Sequence, residues 1–218
     1  LKIAFKSYFT SSNYTMRISF LFACVTLCSA MLAQTYQSIE ATEWDPGSQR
    51  WLVSNGNSVI AQDMSGTLSF LGGAQASYGM EIMNGNLFTI HSGNVKAYDA
   101  TTGDILMNLS IPGTGFLNGM GSDPATNRIW VSDFGNNEII EIDVNDLDNP
   151  TFSTVVSNTG STPNGVVYDQ IDDRLVFASW GGSATIKAVN LDTYAVSTLI
   201  TTSLSNIDGI DMTDSGYF

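Results

Sequence analysis

Cysteine and histidine are scarce in this chain, and each scarcity excludes a class of site. Both cysteines, Cys24 and Cys28, fall within the first 33 residues, so residues 34–218 have neither a disulfide nor a cysteine-bound metal. His91 is the only histidine, and one imidazole cannot build a histidine-ligated zinc site. It stands beside Ser92 and Gly93, a pair typical of a hairpin turn, where we expect a solvated side chain.

Basic residues are also few. The chain has 8 Lys and Arg against 21 Asp and Glu. Three of the basic residues lie in the first 33 positions, which hold no acid, so residues 34–218 carry a net charge of −16. A negative field repels phosphate backbones and anionic lipids, which makes nucleic acid and membrane surfaces poor partners and leaves cations and neutral sugars compatible. The solubility of an exported protein explains the same acidity equally well.

Long amphipathic helical patterns are missing after residue 36, and so are the motifs of several enzyme classes. No Gly-rich phosphate loop, Gly-x-Ser-x-Gly elbow or His-Glu-x-x-His sequence occurs. The sequence therefore gives no support for a nucleotide-binding protein, a serine hydrolase or a zinc protease.

The amino-terminal part predicts an export signal. Met16 opens a short basic segment, residues 18–27 form an almost unbroken apolar run, and small residues follow before Gln34. This order is typical of a secretory signal peptide at residues 16–33, cleaved after Ala33 or, alternatively, after Ala30. The run is too short to cross a bilayer, so we expect no membrane span in the mature chain and a secreted, periplasmic or cell-surface protein.

Two features of the same region leave alternatives open. A lipoprotein anchor at Cys24 or Cys28 is the weaker reading, because neither cysteine follows a convincing lipobox. Residues 1–15 precede the plausible start at Met16, and we interpret them as translated upstream sequence without assigning them a structure.

A unit of about 42 residues recurs along the rest of the chain, and its cleanest copy runs from Pro163 to Ile200. That copy contains four short β-rich runs separated by turn residues, the pattern of one antiparallel four-stranded sheet. The copies align on one small residue each, spaced by 38, 40, 46 and 44 positions: Ala41, Gly79, Gly119, Gly165 and Gly209.

This repeat predicts an all-β fold, a β-propeller with four-stranded antiparallel blades. Residues 34–218 hold about four and a half units of this period. We therefore expect a propeller domain that is a carboxyl-terminally truncated fragment of a six-bladed ring. Four tryptophans are expected to fill the gaps between blades: Trp44, Trp51, Trp130 and Trp180.

The residue before each aligned small residue is the best candidate for chemistry. The first strand of each blade lines the central channel of a propeller, so these residues should occupy one position per blade around the axis. We call them the ring positions: Glu40, Tyr78, Asn118, Asn164 and Asp208. Four of the five are carboxylates or carboxamides, and such oxygen donors suit a hard divalent cation, most naturally calcium. Taken singly, Asn-Gly and Asp-Gly are ordinary turn pairs.

Several motifs resemble those of the family of senescence marker protein, gluconolactonase and luciferin-regenerating enzyme. They are Glu40 with Trp44-Asp45-Pro46, then Pro163-Asn164-Gly165, and Ile207-Asp208-Gly209-Ile210. The resemblance implies a six-bladed propeller with one divalent metal held by Glu40, Asn164 and Asp208. It also implies that Asp208 is the general base of lactone hydrolysis, with Asn118 on the substrate side. If the enzyme interpretation holds, we expect Tyr78 to contribute to substrate binding as a residue of the channel wall.

The chain departs from that family at two places. The family's Glu-Gly-Pro opening is Glu40-Ala41-Thr42 here, and its Asn-Asp-Gly is Leu117-Asn118-Gly119. The sequence Trp130-Val131-Ser132-Asp133 is also similar to propellers of the NHL-repeat type, many of which bind partners without catalysis. Two functions follow as expectations: a secreted calcium-binding lactonase acting on a neutral sugar lactone or similar cyclic ester, or an exported binding or scaffold module.

Overall fold

Regular structure in this protein is entirely β within the part of the chain described. The computed structural model describes residues 34–213 and 216–217, and Tyr36 and the residues after it belong to one unit. The predicted signal peptide at 16–33 and the upstream residues 1–15 lie outside these residues. Within them no helix is long and apolar enough to span a membrane.

Sixteen strands form four separate antiparallel sheets, each with its strands in chain order. The first strand of each sheet is called the inner strand below. The first two sheets are blade 1, with β1 (Thr42–Asp45), β2 (Arg50–Ser54), β3 (Val59–Asp63) and β4 (Leu68–Phe70), and blade 2, with β5 (Met80–Met83), β6 (Asn86–His91), β7 (Asn94–Asp99) and β8 (Ile105–Ser110).

The remaining sheets repeat the arrangement. They are blade 3, with β9 (Leu117–Asp123), β10 (Arg128–Asp133), β11 (Glu138–Asp143) and β12 (Thr151–Val156), and blade 4, with β13 (Thr162–Asp169), β14 (Arg174–Trp180), β15 (Thr185–Asn190) and β16 (Val196–Thr201). A short hairpin follows, β17 (Met212–Thr213) and β18 (Gly216–Tyr217). The prediction of an all-β fold built from four-stranded antiparallel blades is confirmed.

The core consists of apolar layers between successive blades. Leu52 and Leu87 meet in the layer between blades 1 and 2, and Phe88 and Ile129 meet between blades 2 and 3. Each of these side chains is at most 1% exposed. Burying a large aliphatic or aromatic side chain contributes about 1.5–3 kcal/mol, so these layers supply most of the drive for one blade to pack on the next.

The four tryptophans do not behave alike. Trp130 is 1% exposed and stacks on Tyr168 of the next blade at 5.4 Å between ring centroids, which confirms the prediction for this residue. The same prediction is wrong for Trp44 and Trp51, which are 37% and 46% exposed. They face each other across β1 and β2, so their contact lies within one blade. Trp180 reaches Phe134 of blade 3 but is also partly exposed.

An aspartate closes the inner strand of three blades by accepting hydrogen bonds from the turn that follows. Asp45 Oδ1 accepts from the Gly47 amide at 3.0 Å, and Asp169 Oδ1 accepts from the Ile171 amide at 3.1 Å. In blades 1 and 4 the second carboxylate oxygen pairs with an arginine at the start of the next strand, Arg174 to Asp169 at 2.9 Å in blade 4. These bonds satisfy turn amides that would otherwise lack partners, which fixes the direction in which each inner strand leaves the turn.

His91 is buried, and the expectation of a solvated side chain there is wrong. The residue is 6% exposed, and its Nδ1 lies 2.8 Å from the hydroxyl of Ser77. That hydroxyl in turn donates to the Gly56 carbonyl of blade 1 at 2.7 Å. Burial lowers the pKa of His91, which favours the neutral imidazole. Through Ser77, this imidazole connects blade 2 to blade 1 by hydrogen bonds.

The aligned glycines are required by close approach of neighbouring inner strands. A Cβ added at Gly79 would lie 2.6 Å from the carbonyl oxygen of Asn118, and one added at Gly119 would be closer still to the carbonyl oxygen of Asn164. The Gly79 amide donates to that Asn118 carbonyl at 2.8 Å. Only a residue without a side chain permits this backbone contact between blades.

Replacing Gly119 by alanine tests this requirement. Because the obstacle is backbone, the strands must separate, and we expect the free energy of unfolding to fall by about 1–3 kcal/mol. The matched control is Gly182→Ala, since a Cβ there meets nothing within 4 Å. Denaturant titrations of both variants should show a loss for Gly119→Ala and a change within about 0.5 kcal/mol for Gly182→Ala. Equal stability of the two variants would contradict the close-approach argument.

Candidate functional site

The inner strands surround a cavity of about 690 Å³ at the centre of the blades. Four of the five ring positions line it: Glu40, Asn118, Asn164 and Asp208. These residues come from blades 1, 3 and 4 and from the segment after β16. The structure therefore brings together side chains up to 168 positions apart in the sequence.

A β-bulge holds two of the ring positions. Asn118 and Gly119 together face the single residue Ser132 on β10, and Asn164 and Gly165 are accommodated in the same way on β14. The Ser132 hydroxyl accepts from the Gly119 amide at 2.8 Å and donates to the Asn164 carbonyl at 2.7 Å. A bulge re-aims the side chain of the extra residue, which explains why an amide occurs at the same point of two blades.

A hydrogen bond joins two of the predicted ligands. Asn164 Nδ2 donates to Asp208 Oδ1 at 2.7 Å, and the Gly165 amide donates to the Asp208 carbonyl at 3.0 Å. Asn164 is 2% exposed, whereas Asp208 is exposed. The side-chain bond uses the amide nitrogen of Asn164 and leaves its Oδ1 available as an acceptor or metal ligand.

Glu40 is placed by its backbone. Its amide donates to the Ser54 hydroxyl at 3.0 Å, as does the amide of Ala41 at 2.8 Å. Ser54 thus plays the part in blade 1 that Ser132 plays in blade 3. The Glu40 side chain is exposed on the cavity, where its carboxylate is free to meet a ligand.

Tyr78 is not among the residues that line the cavity. Its ring meets Phe116 edge to face at 4.7 Å and packs against the core between blades 2 and 3. The cause is the side chain itself, because an aromatic ring gains more from burial between blades than from facing a polar channel. The structure therefore gives Tyr78 a packing contact and no place beside the other four ring positions.

A second set of acidic residues lines the cavity, each three positions after a ring position, in blades 1 and 2 and in the segment after β16. It consists of Glu43, Glu81 and Asp211. Ser122, also on the cavity, donates its hydroxyl hydrogen to Glu81 Oε2 at 2.8 Å. The sequence analysis did not identify this set, although the recurrence of an acid three residues after Glu40 and again after Asp208 was visible in the chain.

Glu43 and Glu81 share one electrostatic environment. Burial raises the pKa of Glu43, and the neighbouring charges of Glu81 and Asp211 raise it further. Burial also raises the pKa of Glu81, partly offset by the hydrogen bond from Ser122. None of the described residues on the cavity is Lys, Arg or His, so nothing basic compensates these acids. The pair therefore holds protons to higher pH than free glutamates do.

The donor chemistry of the ring positions fits a hard cation. Two carboxylates and an amide oxygen are available at Glu40, Asp208 and Asn164, and calcium accepts such ligands in irregular geometry with retained waters. Within residues 34–213 and 216–217 no three His, Cys, Asp or Glu side chains form a metal-binding group.

The known structures that are similar to this chain show its fold alone. No family model matches the chain, and no curated protein matches it by sequence. Among solved structures, a chain of the nidogen/laminin complex aligns with a TM-score of 0.63 and 13% identity over 82% of this chain and 70% of that one. An auxiliary nutrient binding protein from Bacteroides ovatus gives 0.63 and 13% over 82% and 55%, respectively.

A luciferin-regenerating enzyme is also similar, with a TM-score of 0.58 and 14% identity over 79% of this chain and 64% of that chain. The chain thus spans roughly half to two thirds of the length of most of these structures. Together with the four blades, these neighbours show that the protein is a β-propeller.

Replacing Glu43 by glutamine should stabilise the protein at high pH. The pKa of Glu43 is raised in the folded state, so its favourable contribution is complete below the unfolded-state pKa and is lost as pH rises through the folded-state value. Thermal melts from pH 5 to pH 10 should show a smaller alkaline loss of Tm for Glu43→Gln than for the unmodified protein. Glu138→Gln, which changes an acid away from the cavity, should leave the alkaline loss as it is. Parallel pH profiles for all three proteins would refute the interpretation.

Proposed function

We propose that this protein is an exported, calcium-binding propeller that hydrolyses a sugar lactone or similar neutral cyclic ester in its central cavity. The observation that supports this most is the hydrogen bond from Asn164 to Asp208 on a cavity that Glu40 and Asn118 also line. Three separate blades and the segment after β16 supply these groups, which is the arrangement that the resemblance to lactonases implies.

The metal would be held by Glu40, Asn164 and Asp208. When bound, a divalent cation of this kind polarises the carbonyl of the ester and stabilises the oxyanion that forms. The amide of Asn164 keeps the Asp208 carboxylate in one orientation through the 2.7 Å bond to Oδ1. Because an exposed carboxylate on the cavity can reach a water molecule, Asp208 is the group suited to general-base catalysis.

Hydrolysis of the lactone needs only Asp208 to take up and return a proton. Asp208 takes a proton from the attacking water as the water oxygen bonds to the carbonyl carbon. The ring C–O bond then breaks, and the proton returns to the leaving alkoxide. Asn118 offers both a donor and an acceptor to the substrate from the neighbouring bulge.

Charge on the cavity bears on the class of substrate. Five carboxyl groups line it: Glu40, Glu43, Glu81, Asp208 and Asp211. The raised pKa values of Glu43 and Glu81 favour the neutral form of those two, so the negative field comes from the other three. Without a compensating basic side chain among the described lining residues, a substrate that carries phosphate or carboxylate would be repelled. A neutral lactone is compatible with this field.

A binding module without catalysis is the second candidate. Two of the similar structures come from proteins whose names describe binding: a chain of a nidogen/laminin complex and an auxiliary nutrient binding protein. On this alternative the ring positions would hold a structural ion or a bound sugar, and Asp208 would have no chemical role.

Calcium titration of the Asp208→Asn variant tests the metal site. We expect calcium to raise the Tm of the unmodified protein and to leave that of Asp208→Asn unchanged, because the substitution removes a charged ligand. Asp148→Asn is the matched control, since Asp148 is exposed on a turn away from the cavity. Failure of calcium, magnesium and manganese alike to shift the Tm of the unmodified protein would refute the metal site.

Turnover separates the two candidate functions. On a panel of neutral lactones followed by pH-stat, Asp208→Asn should lose activity by about 10²-fold or more, the usual contribution of a general base. Asp148→Asn should retain full activity. A calcium-dependent rise in Tm without turnover on any lactone would rule out the hydrolase and support the binding module.

A further inference from the structure

Two exposed tryptophans, Trp44 and Trp51, lie side by side on blade 1. Their ring centroids are 5.2 Å apart and the ring planes are inclined at 60°. Because inclined rings do not cover each other face to face, part of each indole face remains open. Large aromatic side chains normally find contacts that remove them from water, so an exposed pair marks a surface on which a ligand or partner packs.

The strand register puts this pair on the side of blade 1 that is turned away from blade 2. Leu52, the neighbour of Trp51 in β2, is buried in the apolar layer between blades 1 and 2. Successive residues of a strand point to opposite faces of the sheet, so Trp51 points away from that layer. Trp44 is the cross-strand partner of Trp51 and shares its face. Neither ring is therefore part of the packing between these two blades.

Both tryptophans line the central cavity, together with the ring positions Glu40 and Asp208. Trp130 and Trp180 are not among its lining residues. The pair thus forms the aromatic part of the wall of the candidate site. A ligand in the cavity can place an apolar face against these rings while its polar groups meet the ring positions.

Neutral polar groups lie beside the two rings. Thr42 shares the face of Trp44, two residues away in β1, and it also lines the cavity. Gln62 is the β3 partner of Trp51 and so lies next to it on the same face. The Gln62 Oε1 accepts a hydrogen bond from the Tyr36 hydroxyl at 2.8 Å, which leaves the amide hydrogens on Nε2 to donate to a ligand.

The placement of charge around the rings favours a neutral ligand. Both acidic residues of β1, Glu43 and Asp45, alternate with Trp44 along the strand and therefore lie on the opposite face. Within the blade 1 sheet, the polar groups that accompany the rings are a hydroxyl and an amide, which bond to the hydroxyls of a sugar. The C–H groups on the face of a sugar ring carry partial positive charge and pack on the negative face of an indole.

We propose that Trp44 and Trp51 form a stacking subsite for the ring of a neutral sugar on the wall of the central cavity. Thr42 and Gln62 supply hydrogen bonds to its hydroxyls. This inference rests on the cavity of the proposed function and names carbohydrate as the class of its ligand. It does not depend on catalysis, because a binding module uses such a subsite in the same way.

Calorimetric titrations with cellopentaose, maltopentaose and xylopentaose test the subsite. We expect at least one of these neutral oligosaccharides to bind the unmodified protein. Trp44→Ala and Trp51→Ala should each weaken that binding by about tenfold or more, because truncating an aromatic anchor is among the most costly changes at a binding site. Trp44→Phe should lose less, since it keeps an aromatic face. Trp180→Ala is the matched control, because Trp180 is also exposed but is not on the cavity, and it should bind as the unmodified protein does.

The proposal fails if none of the three oligosaccharides binds, or if Trp44→Ala and Trp51→Ala bind as tightly as Trp180→Ala. It also fails if the two substitutions change only the oligomeric state measured by light scattering, since that result assigns the rings to a protein interface. Failure of the hydrolase is a separate outcome. A protein without lactone turnover whose oligosaccharide binding still depends on Trp44 and Trp51 would refute the lactonase and support the subsite.

Discussion

Contact between the backbones of neighbouring inner strands is the constraint on which this fold depends. At Gly79 and Gly119 the chain of one blade comes so near the next blade that a Cβ would meet its main-chain atoms, and at Gly165 a Cβ would meet the main chain of the segment after β16. Hydrogen bonds reinforce the contact, since the Gly79 amide donates to the Asn118 carbonyl of blade 3 and the Gly165 amide donates to the Asp208 carbonyl of the segment after β16. The apolar layers drive blades together, but these glycines set how close the blades come at the axis.

The same contact explains why the site lies where it does. Each glycine sits beside a ring position, and in blades 3 and 4 the two residues share a bulge that turns the asparagine toward the cavity. The Ser132 hydroxyl lies opposite the bulge of blade 3 and accepts a hydrogen bond from the Gly119 amide. The Ser54 hydroxyl accepts in the same way from the Ala41 amide at the start of blade 1. Packing at the axis and presentation of polar groups are thus two results of one local geometry.

Much of the fold could be predicted from the sequence because it repeats. A strand, a turn with aspartate and a second strand beginning with arginine recur in register, so even weak local signals become decisive when they coincide. The convergence of Glu40, Asn164 and Asp208 on one cavity follows from that register alone. What each position does beyond this depends on its chemistry, and Tyr78 packs into the core because its ring is apolar.

Other features could not be predicted because they depend on distances between blades. His91 looked like a turn residue, yet its imidazole is bonded to Ser77, whose hydroxyl reaches the neighbouring blade. Burial raises the pKa of Glu43, and the charge of Glu81 on the adjacent inner strand raises it further, a pairing that no local pattern encodes.

The bond between Asn164 and Asp208 has a thermodynamic consequence for the segment that carries Asp208. Residues 202–211 form no strand, and this stretch reaches blade 4 near its start through Thr202, Leu204 and Asn206, which bond to Gly181 and Ala184. Near its end it reaches blade 4 through the side chain and carbonyl of Asp208. A ligand that bridges Asn164 and Asp208 must favour the docked arrangement of the segment over all others. By reciprocity, whatever holds the segment against blade 4 strengthens ligand affinity by the same factor.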